Sequence, residues 1–167
     1  MKSIKIQKLT FQAFKPFGSF HNLLDNEGLA ASSVMKQGFF PDIIQLNFGK
    51  DTLPTVNVCH VQRSEKNIIN FVEAHQYTCE GLLPIDSDVI IFVGTVMHGN
   101  FDIDNIQAFY VPLGTFVKIE PLIAHGRQFV KDKDEAHLLC LLPQRTFNND
   151  MIAKFLNPEE QVEIIFD

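Results

Sequence analysis

The apolar positions of this chain recur mostly with the period of two expected for strands. Residues 4–9 alternate weakly, with Ile4 and Ile6 separated by Lys5 and the stretch closed by Leu9. From residue 43 onward, apolar runs return at short intervals, at 43–48, 56–61, 68–72, 89–93, 108–111, 116–119, 137–142 and 162–166. Successive side chains of a strand point to opposite faces, so each run reads as a strand. Turn formers separate them, at 49–51, 63–67, 86–88, 99–100, 112–114 and at Gly126. Thr10 can cap a single helical turn over 11–14, which Pro16 and Gly18 stop. Residues 21–42, with Gly28, Gly38 and Pro41, read as a long loop or arm, and one later helix is predicted at about 149–155, capped by Asn148 or Asn149.

Many short strands with turn signals between them predict an all-β fold, a β-barrel or jelly roll with one or two short helices. No linker, repeat or low-complexity tract divides the chain, so residues 1–167 are expected to form a single domain. The aromatic content supports a pleated core, with 16 Phe against 2 Tyr and no Trp.

Charge narrows the function classes. The net charge is −6 and the basic residues are scattered, which argues against a nucleic-acid partner. The densest charged run, residues 131–135, is mixed in sign and reads as a solvated turn. No apolar run is long enough to span a bilayer as a helix, and the polar start after Met1 does not resemble a signal peptide, so the expected location is cytoplasmic. Cys59, Cys79 and Cys140 are odd in number and lack CxxC spacing, so neither a disulfide framework nor a thiolate zinc site is indicated.

The usual hydrolase, phosphate-loop and zincin motifs are missing. What remains is a diffuse set of polar residues on predicted strands: His60, Glu73, His75, Glu80, Lys118, Glu120 and His125. Glu73 and His75 are two apart and share a strand face. Facing inward they could ligate a metal or act as an acid/base pair; facing outward they are ordinary surface groups. Lys118 and Glu120 have the same spacing, either as an anion-attracting lysine in the lumen or as an exposed ion pair. His125 precedes Gly126 after an apolar stretch and fits either a barrel rim or a packed core. For His60 a core, pocket or ligand role stays open, whereas His21, His98 and His137 receive none.

Several segments are similar, in order and spacing, to the ureidoglycolate lyase family. Phe14, Lys15, Pro16, Phe17 and Gly18 resemble its opening motif. Residues 69–85 resemble its central segment, with Glu73, His75, Glu80 and Pro84 on the matching positions. Residues 88–94, Ala108 with Phe109, and Ala124 with His125 match later elements. The resemblance implies a cupin-like β-barrel, usually homodimeric, that splits ureidoglycolate into glyoxylate and urea. It implies a pocket lined by Glu73, His75, Glu80 and His125; Glu73, His75 and His125 are the expected catalytic residues, and His60, Glu80, Lys118 and Glu120 the expected substrate contacts. A divalent metal would be held by His75, Glu80 and His125. The chain departs from the family pattern at His60, where an arginine is usual, and at Asn70, Glu120 and Gly126. The alternative is a cupin-type protein that binds or transforms another small polar metabolite such as a sugar acid, or a non-catalytic dimeric binding protein. The apolar run 162–166 is the expected dimer contact.

Overall fold

The computed structural model describes residues 1–49 and 52–166. Its elements run β1 (Lys2–Lys8), α1 (Phe11–Phe14), β2 (Gly18–Asn22), α2 (Asn26–Ser32), β3 (Pro54–Gln62), β4 (Asn67–Ile69), β5 (Phe71–Ala74), β6 (Glu80–Pro84) and β7 (Val89–Met97). There follow β8 (Asn100–Phe101), β9 (Gln107–Val111), β10 (Thr115–Ile119), β11 (Ile123–Ala124), β12 (Glu135–Pro143), α3 (Thr146–Asn149), β13 (Ile152–Phe155) and β14 (Val162–Ile165). The all-β expectation holds, and the helices are short. No helix among the described residues is long and apolar enough to cross a membrane.

Two large sheets face each other. One has the strand order β11-β7-β9-β1-β14-β4, with β8 added to β7; the other has the order β2-β10-β6-β12-β3. A small third sheet pairs β5 with β13. The first core lies between the large sheets and joins Val89, Ile91 and Val93 to Phe109, Val117, Leu138 and Leu142, with Phe14 and Phe17 of the opening segment packed in. A second core covers the other face of the first sheet, where Ile90 and Phe92 meet Ile69, Val72, Phe129 and Val162. Strand β7 is therefore buried on both faces, which is why its sequence Val-Ile-Ile-Phe-Val is apolar without alternation.

The structure alters several expectations. The run 68–72 is not one strand: it breaks at exposed Asn70, β4 pairing with β14 and β5 with β13. Residues 43–48 form no ladder, and the segment is tied down at Asn47, whose carbonyl accepts from Cys79 N–H at 2.9 Å. The turn expected at 49–51 lies partly outside the described residues. The helix expected at 149–155 is instead α3, which ends at Asn149 with Asp150 as its C-cap, followed by β13, where Ile152–Phe155 joins the β5 ladder. Tertiary pairing has overridden a weak local helical pattern. Residues 21–42 carry the helix α2, which Asp25 caps by accepting from Gly28 N–H at 3.1 Å. The 162–166 run offers no free strand edge for a dimer contact. β14 is flanked by β1 and β4, and Val162 and Ile164 are core residues.

Candidate metal and substrate site

The site is built where β5, β6 and β11 meet. Glu73 N–H donates to the His125 carbonyl at 2.9 Å and His125 N–H to the Glu73 carbonyl at 2.8 Å, an antiparallel bridge just beyond the end of β11. One step on, Leu122 N–H donates to the His75 carbonyl at 2.7 Å. These bonds bring the two histidines together, their ring centres 5.1 Å apart. Glu80, the first residue of β6, lies between them.

His75, Glu80 and His125 are 2%, 5% and 3% exposed, so all three ionisable groups are out of solvent. Nε2 of His75 is 3.1 Å from Glu80 Oε2, and Nε2 of His125 is 3.3 Å from the same oxygen. Each ring is oriented by its other nitrogen. His75 Nδ1 donates to the Asp150 carbonyl at 2.9 Å, and His125 Nδ1 donates to the Ile123 carbonyl at 2.8 Å. In a neutral ring this leaves the Nε2 lone pair aimed at a carboxylate, which repels it unless a cation or a proton lies between. Nε2 of His125 is buried and has no hydrogen-bond partner.

The donor atoms of the three residues all lie within 4.8 Å of one another. Ligands about 2.1 Å from a divalent ion stand roughly 3.0 Å apart in an octahedron and about 3.4 Å apart in a tetrahedron. The spacings at Glu80 Oε2, 3.1 and 3.3 Å, match that range. Donation of each Nδ1 to a carbonyl is the usual support for a ligating imidazole. The residues present therefore fit a divalent metal.

The electrostatics follow from the same contacts. Burial alone would lower the pKa of His125, but the charge of Glu80, helped by Glu73, outweighs it and holds it up at about 9. Burial would raise Glu80, yet the two imidazoles hold its carboxyl well below the usual range. For Glu73 burial dominates and raises the carboxyl.

Beside this cluster a cavity of about 540 Å³ is lined by Glu73, Glu80, Phe71, Phe147, Arg127 and Gln128, among others. Arg127 is the cation of this wall that the sequence reading missed. Its guanidinium donates to Ser64 Oγ at 3.1 Å and lies 5.1 Å from the Phe129 ring centre. Its position two residues after His125 was the available signal. Gly126 between them is required by space, since a Cβ there would come within 2.9 Å of the Phe92 ring.

The remaining expected site residues fall elsewhere. His60 borders the cavity, but its exposed imidazole pairs with Glu135 at 2.9 Å and stacks on His137 at 4.7 Å, away from Glu80. Cys59 and Val61 pack on the core side of β3, so His60 takes the opposite face by the strand period. Lys118 and Glu120 pair with each other at 2.7 Å and do not line the cavity. Asp150, also missed, does two things. Its carboxylate accepts from the N–H groups of Gln76, Tyr77 and Thr78 at 2.7, 3.0 and 2.9 Å, while its carbonyl orients His75.

No family model matches the chain, and no curated protein matches it. Solved structures do. A dTDP sugar isomerase from Desulfovibrio desulfuricans G20 is similar over 72% of this chain and 71% of its own, with TM-score 0.50 and 8% identity. RmlC from Streptococcus suis, in complex with dTDP-D-xylose, is similar over 64% of this chain and 53% of its own, with TM-score 0.44 and 11% identity. The likeness shows the fold: the chain is a cupin-type β-barrel.

Proposed function

We propose that this chain is a metal-dependent enzyme acting on a small polar metabolite, with His75, Glu80 and His125 as the metal ligands. The observation that carries the reading is the pair of imidazoles whose Nδ1 atoms are both spent on backbone carbonyls while both Nε2 atoms converge on Glu80 Oε2. When bound, a divalent ion supplies Lewis-acid polarisation of a substrate oxygen. The chain's own residues do the rest. Glu73, whose carboxyl is raised by burial and which lines the cavity, can take up and release a proton. Arg127 offers a carboxylate anchor, and Phe71 and Phe147 limit water.

Ureidoglycolate fits this description and is favoured by the sequence resemblance. Its carboxylate would meet Arg127, and Glu73 would take the proton from the carbinol oxygen and pass it to the departing urea nitrogen as the C–N bond breaks and the carbonyl of glyoxylate forms. The second reading is a sugar acid, in keeping with the likeness to a sugar isomerase; Gln62 and Gln128 on the cavity wall supply neutral groups for hydroxyls. The test is release of urea and glyoxylate from racemic ureidoglycolate by metal-loaded and chelated protein. Metal-dependent release that Glu73→Gln abolishes supports the lyase. No release, with metal-dependent turnover of a sugar acid, moves the assignment to the second reading. No turnover of either class by the metal-loaded protein contradicts the enzyme reading.

A further inference from the structure

The lyase chemistry leaves one inward polar group of the cavity without a role, the carboxamide of Gln128. Two backbone hydrogen bonds tie Phe129 to Ile90 of β7, at 2.8 and 2.9 Å, and the Phe129 ring enters the second core. Successive side chains of extended backbone point to opposite faces, so Gln128 and Val130 turn the other way. Val130 joins the core between the large sheets, and Gln128 lines the cavity. Gln128 is only 6% exposed, whereas Gln62 and Arg127 of the same wall are exposed. Its Nε2 donates to the Gly126 carbonyl at 3.1 Å. A carbonyl only accepts, so the NH2 arm of the amide must face Gly126, and this contact fixes which way the carboxamide points. The other arm, Oε1, has no hydrogen-bond partner among the described residues. It is not walled in either: among those residues, His125 Nε2 alone is both enclosed and unpartnered. Oε1 is therefore an acceptor that opens onto the cavity. Buried polar groups are as a rule hydrogen-bonded, and the missing donor has to come from what fills the cavity.

We propose that Gln128 is a specificity-determining residue: its Oε1 accepts a hydrogen bond from the bound metabolite and selects small acids that carry an N–H or O–H donor. The proposal rests on the reading of this cavity as the substrate site. Arg127, on the exposed side of the same wall, provides the cation for the acid's carboxylate. Gln128 follows it directly in sequence and is far more buried, so the anion and the donor are read by adjacent residues. The cavity's other polar groups near Gln128 include the carboxyl groups of Glu73 and Glu80, so this part of the wall is rich in acceptors. A metabolite whose second group is an ether or a fully substituted amide leaves Oε1 desolvated and unpaired. Such a mismatch is penalised more strongly than a missing methylene, because a polar atom is left behind without a bond. The ureido acid and the sugar acid considered above both offer a donor, and this is the chemistry they share. Gln128 makes and breaks no covalent bond of the substrate; it decides which acid is held beside Glu73.

The test is calorimetric titration of the full chain, in chelator and again with added manganese, using two pairs of acids. N-carbamoylglycine carries N–H donors, and N-(dimethylcarbamoyl)sarcosine carries none. Glycerate carries O–H donors, and its dimethyl ether carries none. The donor-bearing acid of at least one pair is expected to bind wild type at least about tenfold more tightly than its methylated partner, and Gln128→Met to close that gap to within about threefold. A preference in the first pair alone assigns the donor to a ureido group; in the second alone, to a hydroxyl. In carbon-labelled wild type, the Gln128 carboxamide carbon resonance should shift with the preferred acid and not with its partner, which reads the contact even if the methionine variant does not fold. Equal binding within both pairs, no binding of any of the four acids, a gap that persists in folded Gln128→Met, or an unmoved Gln128 resonance would each overturn the proposal. Absence of turnover with the donor preference intact would count against the enzyme reading alone.

Discussion

Glu73 and His125 face each other across an antiparallel bridge, each donating its backbone N–H to the other's carbonyl, at 2.9 and 2.8 Å. Directly opposed residues in such a bridge project their side chains to the same face. The Glu73 carboxyl therefore acts on the His125 ring, and it is one of the groups that raise His125 to about 9. In metal-free protein, Glu73→Gln should lower the His125 pKa, and Glu80→Gln should lower it further. Proton NMR titration of the histidine ring checks both. An unchanged His125 titration in Glu80→Gln would mean that the carboxylate does not hold the ring.

The same cluster makes the stability of metal-free protein depend on pH. His125 is held at about 9 against an ordinary 6.5, so its contribution is whole below pH 6.5 and disappears as pH rises through about 9. Glu80 has the opposite sign: its contribution is present above its ordinary 4.5 and is lost as pH falls into the range where the carboxyl protonates. Melting temperatures in chelator should fall between pH 6.5 and 9, and the fall should flatten in His125→Gln. Parallel curves for the two proteins would count against the assignment.

Gly126→Ala tests the space beside the site. The added Cβ would meet the Phe92 ring at 2.9 Å and the Phe71 carbonyl oxygen at 3.2 Å, and both belong to packed strands. A loss of about 1–3 kcal/mol is expected from such overpacking, read as a lower denaturant midpoint at unchanged slope. A midpoint equal to wild type would show that the wall yields freely.

Asp150→Ala removes the acceptor for the N–H groups of Gln76, Tyr77 and Thr78 but keeps the carbonyl that orients His75. A stability loss of roughly 1–3 kcal/mol is expected, with faster amide hydrogen exchange confined to residues 76–78. Unchanged exchange there would show that the carboxylate does not organise this turn.

Much of this architecture was legible because β-sheets write themselves as local alternation. The runs at 56–61, 89–93, 108–111, 116–119 and 137–142 all fall within strands of the barrel. Glu73 and His75 could be paired from their spacing, and Glu80 and His125 from the resemblance. What escaped depends on distant partners. The run at 152–155 became a strand because β5 offered an edge to pair with. Strand β6 was hidden because Gly81 and Pro84 leave only Leu82 and Leu83 as an apolar run, too short to mark a strand. Asp150 serves the site through its carbonyl, a group every residue carries, so no side-chain motif could announce it. His60 was drawn in by its family position, whereas the pleat of β3 turns it toward Glu135.

The central claim is that His75, Glu80 and His125 hold a metal, and equilibrium dialysis with elemental analysis tests it most directly. Apo protein is dialysed against zinc, manganese, nickel and ferrous ions in turn, alongside Glu80→Gln and a His75→Ala, His125→Ala double variant whose folding is checked by circular dichroism. The account predicts close to one ion per wild-type chain for at least one of these metals, affinity for that metal weakened at least about tenfold in Glu80→Gln, and no retention by the double variant. Wild-type protein that binds none of these metals, or folded variants that bind as tightly as wild type, would contradict it.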